Sequence, residues 1–279
     1  MQDARIFQIL FLSLFLTLGI GTRDWTLHPA IIVTAIATCL ATQAIATWAV
    51  GGPSPHPLSP ACFLLSPLIT SLGLSLLLRT DHYTTMVIAS VVAILSKFAL
   101  RVNDKHVFNP ANIGIVAAIL LTHDAWISPG QWGEESWYAL IFLGAGGIVL
   151  QRVGRWDTTV AFLGSYALLE AIRNVWLGWT WDVWVHRLTS GSLLLFALFM
   201  VTDPRTIPNN RTARVLWASA IALLTFILRN VFFIPTAVFW ALFALSPLTF
   251  LLDAIWQAPR FEWRGETESE VISQESKAF

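Results

Sequence analysis

The sequence predicts an all-α polytopic membrane protein with about ten transmembrane helices in two inverted five-helix repeats, some of the helices broken. Composition is the first observation behind this prediction. Of the 279 residues, 56% are hydrophobic and 12% are charged, whereas charged residues make up about 25% of a typical soluble domain. The second observation is a series of apolar segments with lengths suited to a bilayer. The third is an order of motifs that occurs twice along the chain.

Ten apolar segments, separated by polar or proline-containing stretches, predict the helices. Several begin with proline, which is favoured in the first turn of a helix. Short segments that open with proline are typical of broken or re-entrant helices. In chain order the segments are Ile6–Ile20, Pro29–Val50, Pro60–Leu78, Tyr83–Leu100, Pro110–Leu121, Ser136–Val153, Thr158–Trp176, Leu188–Thr202, Ala213–Arg229 and Phe232–Trp256.

The two halves of the chain share an order of features. In the first half, Asp81 precedes an apolar segment that ends at Arg101, and an aromatic residue and a proline then open a shorter apolar run. In the second half, Asp203 and Arg229 occupy the matching places. A repeat with an odd number of crossings must enter the membrane from opposite sides, so we expect an inverted repeat. One transmembrane domain at 1–264 would then contain repeats at about 6–121 and 136–256, followed by a polar cytoplasmic tail at 265–279.

Basic residues predict the orientation. If the N-terminus is cytoplasmic, eleven of the 17 Lys and Arg residues fall on the cytoplasmic side, five fall on the opposite side, and Lys97 lies within a segment. This bias follows the positive-inside rule and predicts that both termini are cytoplasmic, in the cell inner membrane. A net charge of zero and the absence of a basic block argue against nucleic-acid binding. The two cysteines lack the spacing of a metal site, so no metal is predicted.

Polar residues at the ends of apolar segments are the candidates for a binding site. Asn109 and Asn112 flank the start of the short fifth segment, where backbone N–H groups and amides suit an uncharged or anionic ligand; Asn112 could instead cap backbone groups. Lys97 lies in an apolar segment, where an ammonium group costs roughly 2.5–3.5 kcal/mol to insert. It either snorkels to the cytoplasmic face or faces a cavity. Asp81 and Asp203 either bind a ligand or form hydrogen bonds at a helix end.

The seventh segment and the residues after it offer two further patterns. Glu170 and Arg173 stand three residues apart and predict an internal ion pair. The tryptophan-rich segment at 179–184 is typical of an aromatic belt at the membrane boundary. A stacking surface for a planar ligand is the alternative interpretation.

Four stretches occur in an order that is found in a known family. They are Ser71–Leu78, Lys105–Gly114 with the sequence KHVFNPANIG, Gly130–Ser136, and Gly191–Pro204 ending in FMVTDP. Together they resemble the RnfD/NqrB family, which comprises RnfD of the Rnf electron-transport complex and NqrB of the sodium-pumping NADH:quinone oxidoreductase. The segments of that family read FNPA, GSIGE and FFMATDP. The resemblance covers most of the chain from about residue 59 to residue 256.

The resemblance implies a fold similar to that of urea transporters, with ten helices in two inverted repeats, and it implies a flavin. In this family an FMN is linked through its phosphate to a threonine, and NqrB of the sodium pump also holds riboflavin. The threonine motif would lie between the FNPA-like and GSIGE-like stretches, where this chain reads THDAWISP at 122–129. We therefore expect no covalent FMN, and a non-covalent flavin, riboflavin or FMN, as the cofactor.

Two main classes of function stay open. The first is a membrane component of Rnf/Nqr-type electron transport that contacts other redox subunits and is itself non-catalytic or electron-transferring. The alternative is a transporter or channel for a small neutral or planar solute, and a structural partner of another enzyme is a third reading; a homo-oligomer is compatible with each. The predicted site residues are Lys97, Asn109, Asn112, Thr202 and Asp203, with Asp81 and Arg229 from opposite ends of the repeat.

Overall fold

The computed structural model describes residues 3–23, 28–50, 60–103, 105–127 and 136–261, and this part of the chain is mainly helical. The predicted tail and most of the GSIGE-like stretch lie outside the described residues. The helices are α1 (Ala4–Arg23), α2 (Pro29–Ala49), α3 (Pro60–Leu77), α4 (Tyr83–Ala99), α5 (Pro110–Leu121), α6 (Ser136–Val153), α7 (Trp156–Trp176), α8 (Trp181–Leu188), α9 (Gly191–Leu195), which continues into a π-helical turn (Phe196–Met200), α10 (Arg211–Asn230), α11 (Ala237–Leu245) and α12 (Leu248–Ile255).

Five helices begin at the residue that the sequence predicts. These are α2, α3, α4, α5 and α6, three of which start with proline. The last predicted segment is instead divided into α11 and α12, which are bent by 47° across Ser246 and Pro247. Proline has no backbone N–H and interrupts the helical hydrogen-bond pattern, so the break has a local cause. A second bend of 47° separates α8 from the helix at Gly191–Met200.

The lengths and hydropathy of the helices agree with a membrane protein. Within the described residues, Ala4–Thr22, Pro29–Ala49 and Arg211–Asn230 are long and apolar enough to cross a bilayer, and the two bent pairs raise the number to five. Shorter apolar helices accompany them at Phe63–Leu77, Tyr83–Ala99, Pro110–Leu121 and Trp137–Val153. The structure thus supports an all-α membrane protein, while the ten crossings remain a prediction.

Aromatic side chains fill the centre of the helical assembly. The Phe15 ring of α1 contacts the Phe142 ring of α6 at 4.4 Å between centroids and the Phe199 ring at 5.9 Å. Phe196 lies between Phe162 of α7, at 5.2 Å, and Phe239 of α11, at 5.8 Å. These contacts join the N-terminal and C-terminal halves into one buried core.

Helices at matching places of the two halves make matching contacts. In the first half α4 packs against α2 and α5, and in the second half α10 packs against α7 and α11. The short helices α5 and α11 also contact each other. This arrangement places the N-terminal ends of two short helices within the seam between the halves.

Two small antiparallel ladders lie at opposite ends of α4. Before the helix, β1 (Arg79–Thr80) pairs with β4 (Ala125–Trp126). After the helix, β2 (Arg101–Val102) pairs with β3 (Lys105–His106). Asn103 begins the turn between β2 and β3 with φ 51, a left-handed conformation that asparagine adopts more readily than most residues. The second ladder ends at His106, shortly before α5 begins at Pro110.

Candidate functional site

Asn109 caps the N-terminus of α5. Its extended backbone (φ −62, ψ 127) precedes Pro110, and its side-chain Oδ1 accepts a hydrogen bond from the Asn112 N–H at 3.0 Å. Asparagine is among the preferred N-cap residues because its side chain replaces a missing intrahelical partner. The capping interaction fixes the orientation of the Asn109 side chain.

The other end of the Asn109 amide connects two distant parts of the chain. Its Nδ2 donates to Asp203 Oδ2 at 3.2 Å and to the Met200 carbonyl at 3.4 Å. Asp203 Oδ1 accepts from the Arg205 N–H at 3.1 Å, so both carboxylate oxygens are engaged. The FNPA-like and TDP-like segments, 94 residues apart, therefore meet through the side chain of Asn109. We call the residues Asn109, Asn112 and Asp203 the central polar cluster.

Asn112 extends this cluster into the seam between α5 and α11. Its Nδ2 donates to the Phe239 carbonyl of α11 at 3.2 Å, and the residue is fully buried. Its Oδ1 has no hydrogen-bond partner among the described residues, which is unusual for a buried polar atom. The sequence offered two interpretations of Asn112, a ligand-binding amide and a backbone cap, and the structure shows it bonding to the backbone of a second helix.

Lys97 is buried near the C-terminal end of α4 and does not snorkel to the surface. Its Nζ donates to Ser66 Oγ and to Thr70 Oγ1 of α3, each at 3.0 Å. Asp203 and Arg205 are close enough for their charges to act on it. Neutral hydroxyl partners and a nearby carboxylate are the kinds of group that lower the cost of a buried ammonium.

Basic residues of β3 lie beside the same cluster. Lys105 Nζ pairs with Asp253 Oδ2 at 2.6 Å, and Asp253 Oδ1 accepts from the Asn209 N–H at 2.7 Å. His106 is buried, and its Nδ1 has no partner in the described part of the chain. Burial, assisted by the positive charges of Arg101 and Arg205, lowers the pKa of His106 to about 3. The imidazole is therefore neutral at physiological pH.

Thr202 is adjacent to the cluster in sequence but has a helical role. Its hydroxyl donates to the Leu198 carbonyl at 2.8 Å, four residues earlier. Such back-bonding satisfies the hydroxyl within its own turn. The structure thus gathers Lys97, Asn109, Asn112 and Asp203 in one region and leaves Thr202 beside them with its hydroxyl directed to its own backbone.

Asp81 and Arg229 lie apart from the other predicted residues. Asp81 precedes α4, whereas Lys97 is near the end of that helix, a separation of about 24 Å along the axis at 1.5 Å per residue. Asp81 is exposed. Arg229, at the C-terminal end of α10, donates from Nη1 to the Tyr166 hydroxyl at 3.1 Å.

Asp124 is the residue that sequence reasoning missed. Its carboxylate accepts from the hydroxyls of Thr80, at 2.5 Å, and Thr85, at 2.8 Å, and from the backbone N–H groups of Asp81 and His82. Partial burial alone would raise the pKa of Asp124, but hydrogen bonds from Thr80, His82 and Thr85 outweigh it and hold the pKa below its usual range. The sequence signal was a lone carboxylate within the THDAWISP stretch.

The central polar cluster does not fit a flavin. Asn112 and Phe239 are almost completely buried, and α5 lies so close to α4 that a Cβ on Gly114 would come within 2.6 Å of the Ala89 carbonyl oxygen. This packing leaves no space beside the Asn112 amide for a three-ring isoalloxazine. In the THDAWISP stretch, the Thr122 hydroxyl donates to the Ala118 carbonyl at 2.7 Å.

Comparisons with known proteins agree with the resemblance of the motifs. A sequence model described as the NQR2, RnfD, RnfE family matches residues 120–262, slightly more than half of the chain. This range includes Thr202, Asp203 and Arg229, whereas Asn109 and Asn112 precede it.

Curated relatives are named as the D subunit of an ion-translocating oxidoreductase complex. The protein from Stutzerimonas stutzeri is 35% identical over 133 residues, which cover 46% of this chain and 36% of that protein. The protein from Vibrio atlanticus is 33% identical over 132 residues, with shares of 46% and 36%, and the protein from Halorhodospira halophila is 31% identical over 134 residues, with shares of 48% and 37%. The aligned region thus spans about a third of the length of these relatives. This chain belongs to the NQR2, RnfD, RnfE family.

Proposed function

We propose that this chain is a membrane-embedded subunit of an electron-transport complex of the Rnf/Nqr type. The observation that carries the proposal is the hydrogen bond between Asn109 and Asp203, because it brings together two of the segments that resemble the family. The names of the relatives, which describe one component of an ion-translocating oxidoreductase complex, support the same function. We place the chain in the cell inner membrane with both termini cytoplasmic, as the basic residues predict.

In this proposal the chain works as an electron-transferring or non-catalytic subunit with redox-active partner subunits. Two inverted repeats would provide its framework, and the matching contacts of α4 with α5 and of α10 with α11 support that arrangement. The central polar cluster would hold the two halves in register at their seam. A rigid seam is useful in such a complex because it keeps the contact surfaces of the partner subunits at fixed positions.

The cofactor of the proposal is a flavin, riboflavin or FMN, held without a covalent bond. Its support is the family resemblance alone. The central polar cluster lends it no support, because its helices are packed too closely to hold the flavin ring. The direct test is the absorption spectrum of the purified protein before and after acid precipitation. A flavin in the supernatant agrees with the proposal, and colour that stays in the pellet means a covalent link. A protein without flavin colour contradicts the cofactor proposal.

Variants of the central polar cluster test the site. Asn109→Ala and Asp203→Ala should abolish electron transfer by the assembled complex while the chain still inserts into the membrane. Asn210 offers a matched control, because its side chain caps α10 with bonds to the Thr212 and Ala213 N–H groups and lies outside the cluster. Asn210→Ala should cost only the capping energy, about 1 kcal/mol. Unchanged electron transfer in both cluster variants would remove the site assignment.

A second candidate function is transport of a small neutral solute. The observation that favours it is the Oδ1 of Asn112, which is unpartnered among the described residues and lies in the seam between α5 and α11. A buried amide oxygen without a partner would gain from a ligand N–H group. Uptake of urea into proteoliposomes that contain the purified chain is the test. Uptake that Asn112→Leu eliminates would favour transport, and permeability equal to that of empty liposomes would reject it.

A further inference from the structure

A buried carboxylate, Glu170, lies where α7, α8 and α10 meet. Glu170 accepts hydrogen bonds from Arg187 Nη1 at 3.0 Å and from Asn230 Nδ2 at 2.8 Å. Arg187 also donates to Asn230 Oδ1 at 2.9 Å. Asn230 thus bonds to both members of the Glu170–Arg187 ion pair. The sequence predicted that Glu170 would pair with Arg173, and this was wrong: Arg187 reaches the carboxylate from α8.

Arg173 is consequently left without an anionic partner in the described part of the chain. Its Nη1 is buried and makes no hydrogen bond there, and its guanidinium carbon lies 4.5 Å above the centre of the Trp179 ring. Asp182 of α8 is exposed and interacts with Thr180 and its own backbone. The charge of Glu170 is already matched by Arg187. The positive charge of Arg173 is therefore not compensated by a carboxylate of this cluster.

Hydrogen bonds in the loop after α7 fix the backbone at Trp179, whose ring lies beneath this guanidinium. Asn174 Nδ2 donates to the carbonyls of Trp179 and Thr180 at 3.1 and 3.2 Å. The Trp179 N–H in turn donates to the Asn174 carbonyl at 3.0 Å. Gly178 provides the turn with a left-handed φ of 67, which glycine adopts without steric cost. Arg173 therefore lies over an aromatic side chain whose backbone is held by these bonds.

An exposed apolar recess lies next to Arg173 on the same helix. It is lined by Ala171, Ile172, Val175 and Trp176. Val175 and Trp176 are 67% and 85% exposed, respectively. At 100° per residue, Arg173 falls between this apolar face and the buried face that carries Glu170. In a membrane, such a recess faces lipid chains, and the arginine stands near the end of the helix.

We propose that this end of α7 binds one anionic phospholipid, with its phosphate on Arg173 and an acyl chain in the recess lined by Ile172, Val175 and Trp176. Arginine suits phosphate because its planar guanidinium can donate two parallel hydrogen bonds. The unmatched positive charge favours a headgroup with net negative charge over a zwitterionic one. This site is separate from the central polar cluster and does not depend on the proposed function.

Native mass spectrometry of the full chain in neutral detergent tests the proposal. The protein is offered phosphatidylglycerol or phosphatidylcholine at equal concentrations, and bound lipid is counted. We expect phosphatidylglycerol to be retained in preference to phosphatidylcholine. Arg173→Gln should reduce its retention about tenfold, which corresponds to ~1.4 kcal/mol. Arg211 provides a matched control because its guanidinium also lies over a tryptophan, Trp156, at 5.3 Å. Arg211→Gln should leave retention unchanged.

A second variant tests the recess without changing the charge. Val175→Ser alters an exposed side chain, so the fold should be preserved, and we expect lower retention of phosphatidylglycerol. Equal retention by the wild type, Arg173→Gln and Val175→Ser would overturn the proposal. So would equal binding of the two lipids. Displacement of phosphatidylglycerol by inorganic phosphate at equal concentration would show a site for free phosphate, and it would overturn the assignment to a lipid.

Discussion

Buried polar side chains determine which helices of this protein must stay together. Asn109 satisfies three different groups: the Asn112 N–H, the Asp203 carboxylate and the Met200 carbonyl. Removal of one partner leaves the other buried and unsatisfied, which typically costs about 1–3 kcal/mol. The contribution of a pair to stability can therefore be separated only by changing both members.

A double-mutant cycle on Asn109 and Asp203 should show a coupling energy between the two side chains. We expect Asn109→Ala and Asp203→Ala to destabilise the protein less together than the sum of their separate effects, with a coupling of about 0.5–3 kcal/mol. The measurement is reversible unfolding in mixed detergent micelles. An additive double variant would mean that the two side chains do not interact.

His106 predicts a pH dependence of stability. The pKa of a free histidine is about 6.5, and burial lowers the pKa of His106 to about 3 in the folded protein. Folding therefore favours the neutral form of His106. Its contribution to the free energy of unfolding is complete above about pH 6.5 and is lost progressively as the pH falls towards about 3. His106→Gln should flatten the stability profile between these values. His123→Gln, an exposed substitution, is the control, and identical profiles for His106→Gln and the wild type would contradict the prediction.

At the scale of elements, the beginnings of helices were the most predictable feature. Proline at the first turn and the change from polar to apolar residues located α2, α3 and α5 from sequence alone. The amphipathic helix α8 was missed because its apolar residues alternate with Asp182, His186 and Arg187. Asp124 was missed for another reason: its partners Thr80 and Thr85 lie about 40 residues earlier, and only the β1–β4 ladder brings them together.

Close packing of α5 on α4 depends on one glycine. A methyl group on Gly114 would meet the Ala89 carbonyl oxygen at 2.6 Å and Ala93 Cβ at 2.9 Å, so the helices would have to separate. We expect Gly114→Ala to destabilise the protein by about 1–3 kcal/mol and to weaken the central polar cluster. Gly144→Ala in α6 is the matched control, since no atom of the described residues lies within 4 Å of its added carbon. Thermal unfolding in detergent measures both, and equal stabilities would contradict the packing argument.

The carboxylate of Asp124 joins the β1–β4 ladder to the start of α4. The pKa of Asp124 is held below its usual value. The contribution of the ionised carboxylate to the free energy of unfolding is therefore present above about pH 4 and is lost as the pH falls further. Asp124→Asn should lower the unfolding temperature at neutral pH and reduce the difference between neutral and acidic pH. Asp81→Asn changes an exposed neighbour whose side chain lies outside this arrangement, and it should behave as the wild type. An equal loss in both variants would assign the effect to charge alone.

At the scale of the whole molecule, sequence composition determined the class and the motifs determined the family. Of the seven predicted site residues, Lys97, Asn109, Asn112 and Asp203 are gathered, because the short helix α5 begins beside the turn at Asp203. Asp81 and Arg229 were predicted from their matching places in the repeats. In the proposed inverted repeat, matching residues such as Asp81 and Asp203 would lie on opposite sides of the membrane, and sequence symmetry would then not bring them to the same site.

The most direct test of the central claim is the mass and composition of the particle that contains this chain in native membranes. The tagged chain is extracted in mild detergent, and the particle is separated on a native gel and analysed by mass spectrometry. The proposed function predicts a hetero-oligomer in which the chain is accompanied by redox subunits that carry a reducible flavin. Recovery of the chain alone, or as a homo-oligomer without redox partners, would contradict a role in an Rnf/Nqr-type complex.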